Sequence, residues 1–238
     1  MAAVLKLLGR QLGLWELKRR LEDLGQRPGR CIEGNVAYGP CLLVSRQRGS
    51  LGGRVAHLVG ERMGWHVFDR EVVDEIAKLA HVRQQLMESV DEETRASWNN
   101  GWQPELGPED IGCEDYLRCL REVVLTLGHH GDVVIVCRGS SCLLPAQCSL
   151  RVRVVAPLEL RVKRVVEQEK LPVLEAQARV EKCDADRTQF VQKSFGRDPN
   201  SPTNYDLVIN TGDITAEAAA EMVLIAMKSK LGVHPKQG

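Results

Sequence analysis

Neither sign of charge is in excess in this sequence: 32 Lys and Arg residues stand against 32 Asp and Glu residues, a formal net charge of zero. Such a chain has no long-range pull toward a nucleic-acid backbone or an anionic membrane surface, so neither is expected as a partner. A zero sum leaves a local basic cleft open. No apolar run approaches the roughly 20 residues that a membrane span requires, and no span is expected. The eight cysteines, Cys31, Cys41, Cys113, Cys119, Cys137, Cys142, Cys148 and Cys183, contain no C-x-x-C pair, which removes the usual zinc signature. No small-residue cleavage site follows the apolar start, so no secretory signal is read. The cysteines are therefore expected to be buried or surface thiols of a cytoplasmic protein. Internal repeats and low-complexity tracts are lacking as well.

What is present begins with MAAVLKLLGRQLGLWELKRRLEDLG. Leu5, Leu8, Leu12, Trp15 and Leu21 are spaced for one helical face, with Lys18, Arg19, Arg20 and Glu22 available for the other. The spacing predicts an amphipathic helix ending near Gly25, packed on the main domain or on a second copy of the chain in a homodimer. Gln26 to Pro40 is rich in glycine and proline and reads as a linker. Residues 1–36 are thus set apart from a domain over 37–238.

Short apolar strands then alternate with helices. Strands are predicted at Cys41–Val44, Trp65–Phe68, Asp132–Val136, Leu150–Val155 and Tyr205–Asn210. Helices are predicted at Arg54–Met63, Glu71–Ala80 with continuation through Val82–Val90, Glu114–Gly128, Pro157–Glu169, Val173–Lys193 and Thr215–Lys230. Ser97 to Gly112, polar and carrying Trp98 and Trp102, reads as a loop. Apolar strands separated by helices predict an α/β fold, a parallel sheet covered on both faces. Ligands in such folds sit at the carboxyl ends of the strands, where Ser45 to Arg54, Asp69-Arg70 and Arg138-Gly139 fall.

The first of these stretches, SRQRGSLGGR, is a glycine-rich turn between a strand and a helix, the build of a phosphate-binding loop. The pattern G-x-x-x-x-G-K-[ST] fails in every frame, because its lysine is missing. The physical ingredients remain. Gly49, Gly52 and Gly53 can adopt positive φ and let backbone approach an anion. The following helix adds its dipole. Arg46, Arg48 and Arg54 supply charge in the planar, two-pronged form that lysine cannot. Ser45 and Ser50 are candidate hydroxyls, Ser50 for a metal ion. The alternative is a turn that serves only tight strand–helix packing.

From Cys41 onward the chain resembles the cytidylate kinase-like family, a divergent branch of the P-loop nucleoside monophosphate kinases. SRQRGSLG matches its S-R-E/Q-x-G-S-G/L-G loop, and HVFDREVV its F-Y-D-R-E-L segment. VVIVCRGSSCLLP resembles V-I-V-G-R-G, and RVRVVAPLELRVKRV resembles V-x-x-V-A-P-x-E-x-R-x-x-R. DADRTQFVQKSFG and NYDLVIN follow in family order. The resemblance implies a P-loop kinase-like three-layer sandwich with a central parallel sheet. It also implies a helical acceptor-binding insertion at about 72–130 and a lid at about 170–200. It implies ATP-dependent phosphoryl transfer with Mg2+ to a small nucleotide, CMP, dCMP or a related acceptor. Ser45, Arg46, Gly49, Ser50, Gly52, Gly53 and Arg54 are then expected at the ATP phosphates. Asp69, Arg70 and Arg138 are expected at the acceptor, and Arg138, Arg164 and Arg187 in catalysis. Lys193 and Arg197 would assist.

Bland roles stand beside these. Asp69 caps helices well. Arg138 could form a salt bridge under the sheet edge, and Arg161 with Arg164 could form a solvated helix face. Trp98 and Trp102 could stack on a base or cover the insertion. His129-His130 reads as a surface turn. Because the loop has no lysine, a non-catalytic nucleotide-binding or regulatory protein is the alternative function.

Overall fold

The computed structural model describes residues 30–33, 36–69, 73 and 111–236. The expected N-terminal helix, the helix at Glu71–Ala80, Arg70, Trp98 and Trp102 lie outside them, as does most of the expected insertion.

The first two elements correct the linker reading. β1 (Cys31–Glu33) and β2 (Val36–Tyr38) pair antiparallel as a hairpin. Strands of three residues carry too little periodicity to stand out among glycines and prolines. β3 (Cys41–Arg46) begins the main sheet, followed by α1 (Gly52–Met63) and β4 (His66–Asp69). Gly64 ends α1 at φ 64°, the left-handed cap that glycine takes without strain. Next come α2 (Ile111–His130), β5 (Val133–Val136), the short α3 (Ser140–Leu143) and β6 (Ser149–Val155). α4 (Leu158–Glu169), α5 (Val173–Phe195), β7 (Leu207–Asn210) and α6 (Ala216–Leu231) complete the order.

Five parallel strands form the sheet in the order β4-β5-β3-β6-β7. Alternation along the central strand sorts the two faces. Leu43, with Ile135 and Cys137, packs against Leu120, Val124 and Leu127 of α2. Leu42 and Val44, with Val134 and Val152, pack against Val55 and Val59 of α1 and Val223 and Met227 of α6. A third small core holds α4 to α5 through Val162, Val165, Ala176 and Val180. The register of β3 with β6 runs to Ser45↔Arg153 and Arg46↔Val154, two residues beyond the apolar run that bounded the sequence reading.

Two further corrections concern the end of the sheet distal to the loops. Cys31 and Cys148 are joined as a disulfide, Cα–Cα 5.5 Å, where free thiols were expected. His129 and His130 end α2 rather than form a surface turn. His130 is buried, and His129 Nδ1 lies 2.8 Å from the carbonyl of Ala37, fastening α2 to the hairpin. Among the described residues no helix is long and apolar enough to cross a membrane.

Candidate functional site

The glycine-rich turn occupies the carboxyl end of β3. Gln47 is locked to β6 twice: its N–H donates to Val154 O at 3.1 Å, and its Oε1 accepts from Ala156 N at 3.2 Å. Gly49 takes φ 78°, and a Cβ there would lie 2.6 Å from Arg161 O, so both conformation and space demand glycine. Gly52 and Gly53 do not take positive φ; they open α1, and Leu51 takes φ 62° in their stead. Gly52 is needed for closeness, since a Cβ would meet Arg46 Cβ at 2.7 Å, while Gly53 faces open space. The first-turn amides of α1 have no acceptor within the helix and point their partial positive charge into the turn.

Ser50 is the clearest correction. Its side chain is fully buried, with Oγ 2.9 Å from Gln47 O and 3.0 Å from Val154 O, and Thr211 Oγ1 donates to its carbonyl at 2.9 Å. The hydroxyl is engaged inside the fold, against Gln47 and β6, where a metal ligand was expected.

Beside the loop, Arg46, Arg138, Arg153 and Arg187 line one narrow cavity of about 50 Å³ with Asp184. They come from four different parts of the chain: the end of β3, the loop after β5, the interior of β6 and the middle of α5. Arg46 Nη1 donates to Val136 O at 3.3 Å, and Arg187 Nη1 donates to Arg46 O at 3.1 Å. Arg138 lies over the Phe190 ring, 4.4 Å from its centroid. Burial pushes the Arg187 guanidinium below its ordinary value; the charges of Arg46 and Arg48 push the same way, against Cys183 and Asp184. A second, more open cavity of about 370 Å³ lies over the loop, lined by residues 46–54 with Arg164, Gln168 and Arg187. The two cavities share Arg46, Gln47 and Arg187.

Other expected residues are arranged differently. Arg54 stands at the outer rim, its side chain 66% exposed and paired with Glu217 at 2.6 Å. Arg164 ties the loop to the end of β7, donating to Gly49 O at 3.3 Å and Thr211 O at 2.7 Å. Asp69 ends β4, two strands from β3, in register with Val136. Ser45 accepts from Arg153 Nη1 at 2.7 Å.

Several residues at the site escaped the sequence reading. Asp184 accepts the Arg48 backbone N–H at 2.8 Å and is ion-paired with Arg161 and Arg187. Arg48 in turn pairs with Glu169, whose carboxyl it holds below the usual range, with Arg179 assisting. Arg153, Asn200 and Tyr205 close the far side of the narrow cavity. Arg153 gave no signal of its own in RVRVV, where it shares the strand phase of the partly exposed Arg151.

Among the described residues no group of three or more His, Cys, Asp or Glu side chains could hold a metal ion. The arrangement can therefore neutralise anionic charge through guanidinium and amide donors, in two adjoining hollows with common walls.

The model of the cytidylate kinase-like family matches residues 43–213. A cytidylate kinase from Halobacterium salinarum is 28% identical over 124 residues, 52% of this chain and 63% of that protein. A uronate isomerase from Corynebacterium glutamicum is 31% identical over 104 residues, 44% of this chain and 20% of that protein. The chain thus spans a fifth of one of these curated relatives and just under two thirds of the other. Among solved structures, an uncharacterized protein from Eubacterium ventriosum superposes with a TM-score of 0.63 at 19% identity, covering 80% of this chain and 98% of that one. At that identity the likeness concerns the fold alone: a parallel sheet between helical layers, the P-loop kinase-like sandwich that the sequence led us to expect.

Proposed function

The chain belongs to the cytidylate kinase-like family, and on that premise we propose that it transfers the γ-phosphoryl group of ATP to a nucleoside monophosphate, with CMP or dCMP the first acceptors to test. The observation that carries this reading is the meeting of Arg46, Arg138 and Arg187 in a hollow beside an amide-lined turn. Phosphoryl transfer asks little covalent chemistry of a protein. It asks for two substrates held in line and for positive charge around the transferred group. The open hollow over residues 46–54 suits the phosphates of ATP. The narrow one beside it suits the acceptor's phosphate, and Arg46 and Arg187 lie between them and can touch both. Asp69 and Arg70 would lie on the acceptor side. α5 would act as the lid, and its closure would exclude water and limit hydrolysis of ATP.

Mg2+ is assigned to the ATP phosphates themselves. Among the described residues none fits a protein-held ion, because the Ser50 hydroxyl is engaged within the fold and no acidic or thiol cluster stands beside it. No step above depends on a protein ligand to the metal.

The test is a panel of nucleoside monophosphates incubated with labelled ATP and Mg2+. Transfer to CMP or dCMP supports the reading; transfer to none rejects it.

A second reading is favoured by a specific observation: Asp184 already accepts a loop amide, and the lysine is absent. On this reading the protein binds nucleotide without turnover. Nucleotide would then raise the melting temperature, by an amount equivalent to about 2.7 kcal/mol at a hundredfold excess over Kd, with no product formed. A cytoplasmic location and a homodimer through the amphipathic N-terminal helix expected within residues 1–36 complete the proposal. Light scattering on a chain lacking those residues tests the dimer, and an unchanged mass rejects it.

A further inference from the structure

Arg153 is out of keeping with its surroundings. It is 8% exposed, on β6 between β3 and β7, with the buried Val152 and Val154 on either side of it in the strand. Its guanidinium donates to Ser45 Oγ at 2.7 Å and to Asn200 Oδ1 at 3.1 Å, and lies 5.8 Å from the centre of the Tyr205 ring. All three partners are neutral. Among the described residues lining the cavity the one carboxylate, Asp184, is engaged by Arg161, Arg187 and the Arg48 amide. Arg46, Arg138 and Arg187 line the same hollow and deepen its positive potential.

A buried charge is retained where it is paired, because leaving water costs several kcal/mol that neutral partners do not return. Arginine carries five N–H donors, and two are engaged here. The others have no acceptor among the described residues, and Arg153 lines the narrow cavity. The polar frame of Ser45, Asn200 and Tyr205 fixes the plane of the fork, and Tyr205 is itself held through its hydroxyl on Pro199 O at 2.8 Å. This is a prepared donor without its acceptor.

We infer that Arg153 is an anion-binding residue whose missing counter-charge is a phosphoryl oxygen of the substrate. The identity of the anion's carrier rests on the phosphotransfer reading; the anion site itself does not. Two sources share this chemistry, the acceptor's phosphate and the γ-phosphate of the donor, and ligand pairs separate them.

The experiment compares wild type with Arg153→Met, which keeps an unbranched apolar stem and removes charge, and with Arg62→Met, a surface control that loses one charge paired with Glu221. Melting temperatures are measured against inorganic phosphate at constant ionic strength. Phosphate is expected to stabilise wild type and Arg62→Met alike. Arg153→Met is expected to melt at or above wild type without phosphate and to lose most of the phosphate response, with Kd raised about tenfold or more. A structural arginine would behave in the opposite way: the variant would melt lower and respond fully, and that result overturns the inference. So does a wild type that phosphate fails to stabilise. Should the methionine variant not fold, Arg153→Gln, which keeps a hydrogen-bonding partner for Ser45, is read by the same phosphate criterion. CMP against cytidine and ATP against adenosine then assign the source. An Arg153-dependent loss confined to CMP marks the acceptor's phosphate, and one confined to ATP marks the donor's. If no nucleotide binds but the phosphate response depends on Arg153, the kinase reading falls and the anion site stands. If transfer occurs and Arg153→Met retains the full phosphate response, the reverse holds.

Discussion

Arg187 is held against burial and against two like charges, and that opposition separates its roles. Replacing it with methionine relieves both, so stability should change little. Turnover, however, should fall about 10²- to 10³-fold, the usual effect of removing one preorganised donor from a developing charge. Steady-state kinetics beside a melting curve would show the two moving apart. Asp206 behaves differently. Burial raises its carboxyl, but hydrogen bonds from the Arg151 side chain, Lys230 and the Arg151 backbone outweigh that and bring it down to about 2. A carboxyl lower in the folded state stabilises above its unfolded value, here 3.8, and loses that contribution as pH falls through about 2. Asp206→Asn should therefore cost about 1–2 kcal/mol near neutrality, after allowance for solvent screening, and almost nothing at the acid end. Denaturant titrations at several pH values check this. Residues at strand ends, Arg138 and Arg187's neighbour Arg46, were legible because a charge beside an apolar run is conspicuous. Ser50 was misread because the side to which a hydroxyl turns depends on contact with β6, which sequence spacing does not reveal.

Gly49 is the position of the turn between β3 and α1 where both backbone conformation and space exclude a side chain. Gly49→Ala combines a left-handed backbone with a clash against Arg161 O, so a loss of about 1–3 kcal/mol is expected, with weaker nucleotide binding. Gly53→Ala, which meets open space and continues a helix, should match or slightly exceed wild type in the same melting assay. Three glycines that look alike in the sequence thus carry three different constraints. The longer helices and the apolar strands were readable from period and length. The β1–β2 hairpin was not, because three-residue strands owe their existence to pairing rather than to pattern.

Across the whole molecule, the parallel sheet and its two-faced burial followed from the alternation of elements, since apolar strands joined by helices have few ways to be covered. Covalent linkage did not follow from it. The Cys31–Cys148 bond spans 117 residues and ties the hairpin beside the start of β6. Cys31→Ser should lower stability by about 2–4 kcal/mol, and a reductant should lower the wild-type melting temperature while leaving the variant's unchanged. At the opposite edge, the carboxylate of Asp184 rests on the Arg48 amide. Any phosphate seeking that amide meets a resident competitor, so entry must wait for α5 to let go. Stopped-flow traces would then show an observed rate that levels off with rising nucleotide instead of climbing in proportion. The plateau would report how often the helix releases, and asparagine at 184 would lift it.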